Sequence, residues 1–141
     1  MSRTMKNIVI DTSVAMKWFF PESGFKKALD LKDKHIKGEI SIYTRDLFLY
    51  EFTSAFKNYS SQRIEEKDFS LAVSALMSLK IKFLPLRYQE LEELFLLSRK
   101  LDISIYDGSF LLLAEKLKAP LSTADKKLYL KGKDFVEIVL I

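Results

Sequence analysis

Five short apolar runs punctuate the chain, at Ile8–Ile10, Ile40–Tyr43, Ile81–Leu86, Pro120–Ser122 and Phe135–Ile141. Between them apolar residues recur every three or four positions, the spacing of a helix with one buried face. Phe25, Ala28, Leu29 and Ile36 mark one such face. Phe48, Phe52, Ala55, Phe56 and Tyr59 mark a second, and Phe69, Ala72, Val73, Leu76 and Leu79 a third. Leu91, Leu94, Phe95 and Leu101 mark a fourth, and Phe110, Leu111, Ala114 and Leu117 a fifth. Strands separated by helices reach one another through crossovers, not hairpins. The order therefore predicts an α/β domain with a central, mainly parallel β-sheet flanked by helices. The 141 residues suit one domain, 1–141. No repeat or linker-like stretch divides them.

The ends of two runs carry acids. The stretch NIVIDTSVAMKWFFPE delivers Asp11 directly after Ile8–Ile10, and Asp125 stands just beyond PLS in PLSTAD. Open parallel sheets place their sites outside the carboxyl ends of the strands. Two further acids are out of place. Glu51, in DLFLYEFTSAF, borders an apolar face, and Asp107 continues the stripe of Phe110, Leu111 and Ala114. A buried carboxylate is disfavoured unless it pairs, protonates or binds a cation.

Each acid also has an ordinary structural reading. Asp11 would cap a helix beginning near Ser13, Asp125 would cap KKLYL, Asp107 would cap a helix starting at Gly108, and Glu51 would pair with a lysine. The remaining acids read as surface residues: Glu65, Glu66 and Asp68 at a helix start, Glu90, Glu92 and Glu93 at the next, Asp30 and Asp33 off their stripe, and Asp46 in a first turn. If the four unusual acids meet, each like-charge pair at about 4 Å and an effective dielectric of about 20 costs roughly 4 kcal/mol. Such a cluster needs a cation or raised pKa values.

Composition narrows the cation. There is no cysteine and a single histidine, His35, which excludes a disulfide frame, a thiolate site and a zinc site of His and Cys. An all-oxygen pocket suits Mg²⁺ or Mn²⁺, which activate water and stabilise the leaving oxygen in phosphodiester cleavage. The net charge of +4 permits a polyanion partner. No apolar run approaches the length of a bilayer span, and MSRTMKN does not open a leader, so a soluble, cytoplasmic protein is expected. His35, among the charges of KDKHIKG, is expected on the surface, and Trp18, Phe19 and Phe20 in the core. Lys17, Lys126 and Lys127 flank two of the acids, where they either reach phosphate or remain solvated.

Other α/β sites lack their parts. There is no Gly-rich phosphate loop. A receiver domain needs further acids beside the first-strand aspartate, where Thr12 and Ser13 stand, and a phosphoacceptor on a middle strand, where IKFLPL has no acid. A haloacid-dehalogenase-like phosphatase needs an aspartate at the position of Ser13.

The segments IVIDTSVAMKWFFPE, LFLYEFTSAF, ISIYDGSFLLLAEKL and PLSTADKKL together resemble PIN-domain proteins of the VapC-type toxin ribonuclease group, in family order and over most of the chain. The resemblance implies a compact α/β fold and an acidic cluster of Asp11, Glu51, Asp107 and Asp125 that binds Mg²⁺ or Mn²⁺. It also implies support from Ser13 and Thr123, cleavage of RNA, a homodimer, and inhibition by a cognate VapB-type antitoxin. Gly108 departs from the alanine usual after the family's Tyr-Asp pair. The rival reading is a PIN-like module that holds RNA or a protein without cutting, against which the presence of all four acids argues.

Overall fold

The computed structural model describes residues 5–59 and 63–141. Residues 1–4, part of the stretch read as lacking a leader, lie outside them. The chain runs β1 (Lys6–Ile10), α1 (Thr12–Phe19), α2 (Phe25–Ile36), β2 (Ile40–Arg45), α3 (Leu47–Lys57), α4 (Glu66–Leu79) and β3 (Lys82–Leu84). It continues with a 3₁₀ turn at Tyr88–Glu90, then α5 (Leu91–Leu101), α6 (Ile105–Leu117), β4 (Leu121–Thr123), α7 (Lys126–Gly132) and β5 (Ile138–Leu140). No described helix is long and apolar enough to cross a membrane.

The five strands form one parallel sheet in the order β3-β2-β1-β4-β5. Alternation along β1 divides the core. Ile8 and Ile10 face Val14, Ala28, Phe48, Phe52 and Leu76 of α1–α4, while Val9 faces Leu94, Phe110, Leu111 and Leu128 of α5–α7. Helices thus cover both sheet faces, as a parallel sheet requires. The chain winds from β1 to β2 and β3 on one side and adds β4 and β5 on the other. The order therefore reverses between β1 and β4, and the carboxyl ends of those two strands are where sheets of this kind place their sites.

Strand existence follows the sequence closely, strand length less so. The expected Ile81–Leu86 shortens to Lys82–Leu84, because β3 is an edge strand and Pro85 supplies no N–H to continue it. Phe135–Ile141 shortens to Ile138–Leu140, since Phe135 and Val136 turn back to the Gly132 carbonyl. β2 instead runs past Tyr43 to Arg45, which is buried.

Two expected stripes also differ, that of α2 at its last residue and that of α5 by a rotation. Ile36, Leu91 and Phe95 are exposed, whereas Leu97 and Ser98 turn inward beside Leu94. Trp18, Phe19 and Phe20 pack on the core as expected. His35 does not lie free on the surface. Its Nδ1 accepts from the Ile42 N–H (3.1 Å) and its Nε2 donates to the Leu79 carbonyl (2.6 Å), so the ring clips α2 to β2 and the end of α4.

Candidate active site

Asp11 is placed by β1, whose last residue, Ile10, is held by Thr44: the Thr44 hydroxyl donates to the Ile10 carbonyl at 2.7 Å. The Asp11 side chain is only 5% exposed. It occupies the N-cap position of α1 without a side-chain cap hydrogen bond, although the nearby Val14 N–H favours its ionised form. Its oxygens are engaged elsewhere. Ser13 Oγ donates to Oδ1 and Thr123 Oγ1 to Oδ2, each at 2.5 Å, within the range of charge-assisted bonds.

Those hydroxyls are themselves aimed by the β4–α7 connection. Ser13 Oγ accepts from the Ala124 N–H (2.9 Å) and Thr123 Oγ1 from the Asp125 N–H (3.0 Å). With N–H donors behind them, both hydroxyls turn their protons toward Asp11. Burial pushes the Asp11 carboxyl up, the Ser13 and Thr123 hydrogen bonds draw it back, and the Asp107 charge adds to the rise. The result is a pKa of about 6.

Glu51 projects from α3, half-buried, and accepts from Thr12 Oγ1 at 2.7 Å rather than from a lysine. Burial raises its pKa against that bond, and the Asp107 charge raises it further. Asp107 sits in the first turn of α6. Ser104, not Asp107, caps this helix, accepting from the Asp107 N–H at 3.0 Å. The helix thus starts at Ile105, three residues before Gly108. Burial and then the Asp125 charge push the Asp107 carboxyl up, with the Ser104 hydroxyl pulling the other way. Asp125 is exposed and does cap α7: Oδ1 accepts from the Lys127 and Leu128 N–H groups (2.9 and 3.2 Å).

Strand ends and two helices therefore bring all four predicted acids into one electrostatic neighbourhood, with Asp107 coupled to each of the others. The arrangement is loose. Among the described residues, no three His, Cys, Asp or Glu side chains come together as a metal-holding group. The donor set is all carboxylate, and the mutual repulsion is what a cation relieves. This fits a hard divalent ion held through one or two carboxylates with water completing its shell, and does not fit a closed cage. A cleft of about 450 Å³ lies apart from the acids, lined by Arg45, Arg87, Glu90 and Lys116.

A family model described as the PIN domain matches residues 8–134, nearly the whole chain. The chain belongs to the PIN-domain family. PIN domains are generally nuclease domains and generally use divalent metal ions, which accords with nucleic acid binding and with the acids near the carboxyl ends of β1 and β4. The crystal structure of PAE2754 from Pyrobaculum aerophilum is similar at a TM-score of 0.60 and 20% identity, covering 96% of this chain and 91% of that one. That likeness shows a shared fold. No curated protein matches the sequence.

Sequence reasoning passes over three further residues. Thr12, which restrains Glu51, reads as a helix-start residue. Arg45 and Glu90 form an ion pair at 2.8 Å, with Arg45 2% exposed. Their signal is weak. Arg45 shares the parity of Ser41 and Tyr43, but it follows the residues that read as strand.

Proposed function

We propose that this PIN domain is a Mg²⁺- or Mn²⁺-dependent endoribonuclease, the VapC-type toxin component of a toxin–antitoxin pair, with Asp11, Glu51, Asp107 and Asp125 as its catalytic and metal-holding residues. The observation that carries the reading is Asp11: a carboxylate buried at the switch point, aimed by Ser13 and Thr123 and repelled by Asp107. Fold stability alone disfavours such a group.

When bound, a divalent ion supplies an activated water and neutralises charge developing on the phosphate. The chain's own residues do the rest. Ser13 and Thr123 hold the Asp11 oxygens in one orientation, and Thr12 does the same for Glu51. Half-buried Glu51 and Asp107 and exposed Asp125 leave one side of the site open to a polymer. Lys126 and Lys127, both exposed beside Asp125, are on this reading the side chains that meet RNA phosphates.

The partners on this reading are the RNA substrate, a second copy in a homodimer, and a VapB-type antitoxin that lays a basic residue near Asp11 and Asp107. Arginine suits that role through paired, charge-assisted bonds to carboxylates. The test is cleavage of mixed RNA with Mn²⁺ or chelator, by wild type and by Asp11→Asn and Asp107→Asn. Wild type is expected to cut only with Mn²⁺, and both variants are expected to be folded and inactive. Undiminished cutting by both variants would overturn the assignment.

A further inference from the structure

The turn that carries Asp107 is gripped from two sides. Arg45, at the end of β2, reaches across the sheet face toward α6. Its Nε donates to the carbonyl of Ser109, two residues beyond Asp107, at 2.9 Å. Nη1 donates to the Pro85 carbonyl (3.1 Å) and Nη2 to Glu90 (2.8 Å). On the other side α5 presses against Gly108. A Cβ there would stand 2.3 Å from Ser98 Oγ and 3.1 Å from Leu94 Cδ1. The start of α6 therefore has no room to approach α5, and it cannot leave the sheet without breaking the Arg45–Ser109 hydrogen bond.

Stability does not account for this arrangement. A buried ion pair is often replaced by apolar residues at no loss, yet here a fully buried guanidinium is held with all three of its nitrogens in use. Its charge is matched by Glu90, so its influence on Asp107 is one of placement. We propose that Arg45 is a positioning residue for the PIN site: it fixes the first turn of α6, and with it Asp107, against the strand ends that carry Asp11 and Asp125. This rests on the nuclease reading above.

The experiment separates placement from stability. In Arg45→Met/Glu90→Met, an apolar pair replaces the ion pair, so the melting temperature is expected to stay near wild type while the Ser109 contact is lost. With RNA and Mn²⁺, kcat is expected to fall by about 10-fold or more with KM changed little, since small misplacements of a reacting group carry large rate costs. Mn²⁺ affinity, read by electron paramagnetic resonance without RNA, is expected to weaken alongside. His35→Ala, whose contacts lie on the α2–α4 side, is expected to lower the melting temperature and leave kcat unchanged. Wild-type kcat and Mn²⁺ affinity in the folded double variant would overturn the proposal.

If the double variant does not fold, Arg45→Lys keeps the charge beside Glu90 and gives up the forked contacts to Ser109 and Pro85. It is expected to lower kcat and weaken Mn²⁺ binding; unaltered kcat and Mn²⁺ affinity in Arg45→Lys would overturn the proposal. A wild-type protein that binds Mn²⁺ but cuts no RNA sinks the nuclease reading instead, and Mn²⁺ affinity then decides the role of Arg45. A wild-type protein that neither binds Mn²⁺ nor cuts RNA overturns both.

Discussion

Asp11 and Asp125 begin from the same place in the fold and end in different circumstances. Each follows a central parallel strand, each stands in the N-cap position of the next helix, and each is the kind of residue that caps helices well. Asp125 takes that role, accepting two backbone N–H groups of α7 while exposed to water. Asp11 does not. Its oxygens are claimed by Ser13 and Thr123, and it is buried beside other acids. The difference comes from the neighbours on the adjacent strand end. Thr123 reaches over Asp11, the Ala124 and Asp125 N–H groups aim the two hydroxyls that bond it, and among the described residues no side chain hydrogen-bonds Asp125 in this way. A strand-end aspartate is therefore a cap by default and becomes a site when a second strand end supplies donors for it.

The largest expected contrast is in activity. Asp11→Asn should lower Mn²⁺-dependent RNA cleavage by at least about 100-fold, the scale of losing one aligned electrostatic group in a site. Asp125→Asn keeps the cap and only one charge is lost, so its drop should be smaller, read as kcat on the same RNA. Equal losses would erase the distinction between the two positions.

Stability should move the other way. With a pKa of about 6 against an ordinary 3.8, folded Asp11 holds its proton where the unfolded chain has released it. Its contribution to wild-type stability is thus lost as pH rises from about 4 through about 6 and stays lost above, by roughly 3 kcal/mol at most. Glu51 and Asp107 are raised too and act in the same direction. Asp11→Asn should accordingly stabilise the metal-free protein at pH 7. About 1–2 kcal/mol should remain after one hydroxyl turns to accept from the new amide, and the gain should vanish near pH 4. Denaturant melts in chelator at both pH values check this, and a destabilised Asp11→Asn at pH 7 would refute it.

The smallest effect belongs to the cap. Asp125→Ala should cost about 1 kcal/mol, and Asp125→Asn almost nothing, because asparagine caps as well as aspartate. An Asp125→Ala cost that disappears with Mn²⁺ present would mean that the cap is secondary to the cation.

Much of this was legible in the sequence because it depends on local periodicity. Ile8–Ile10 followed by Asp11, and the short strand before Asp125, are set by patterns a few residues long, and the helix stripes marked Glu51 and Asp107 as acids against an apolar face; that the four meet came from the family resemblance, not from the stripes. Long-range contacts left no such trace. Nothing near Ile42 or Leu79 indicates that His35 will bridge them, and Arg45 reads as a charged residue leaving a strand, though its partners lie 40 to 64 residues away. The rotated face of α5 has the same origin. Gly108 lets Ser98 and Leu94 pack against α6, while Phe95 is exposed. The cap of α6 was missed by three residues because Ser104 outcompetes Asp107 for the cap position.

The central claim is that these acids form one site that repels itself until a divalent ion enters. The most direct measurement is the melting temperature of wild type and of Asp11→Asn in chelator and in Mn²⁺ at pH 7. At free Mn²⁺ about 100-fold above its dissociation constant, binding to the folded state should stabilise wild type by roughly 2.7 kcal/mol. Most of that increment should be lost in Asp11→Asn, which starts higher and gains less. An equal increment in both proteins would place the ion elsewhere and contradict the account.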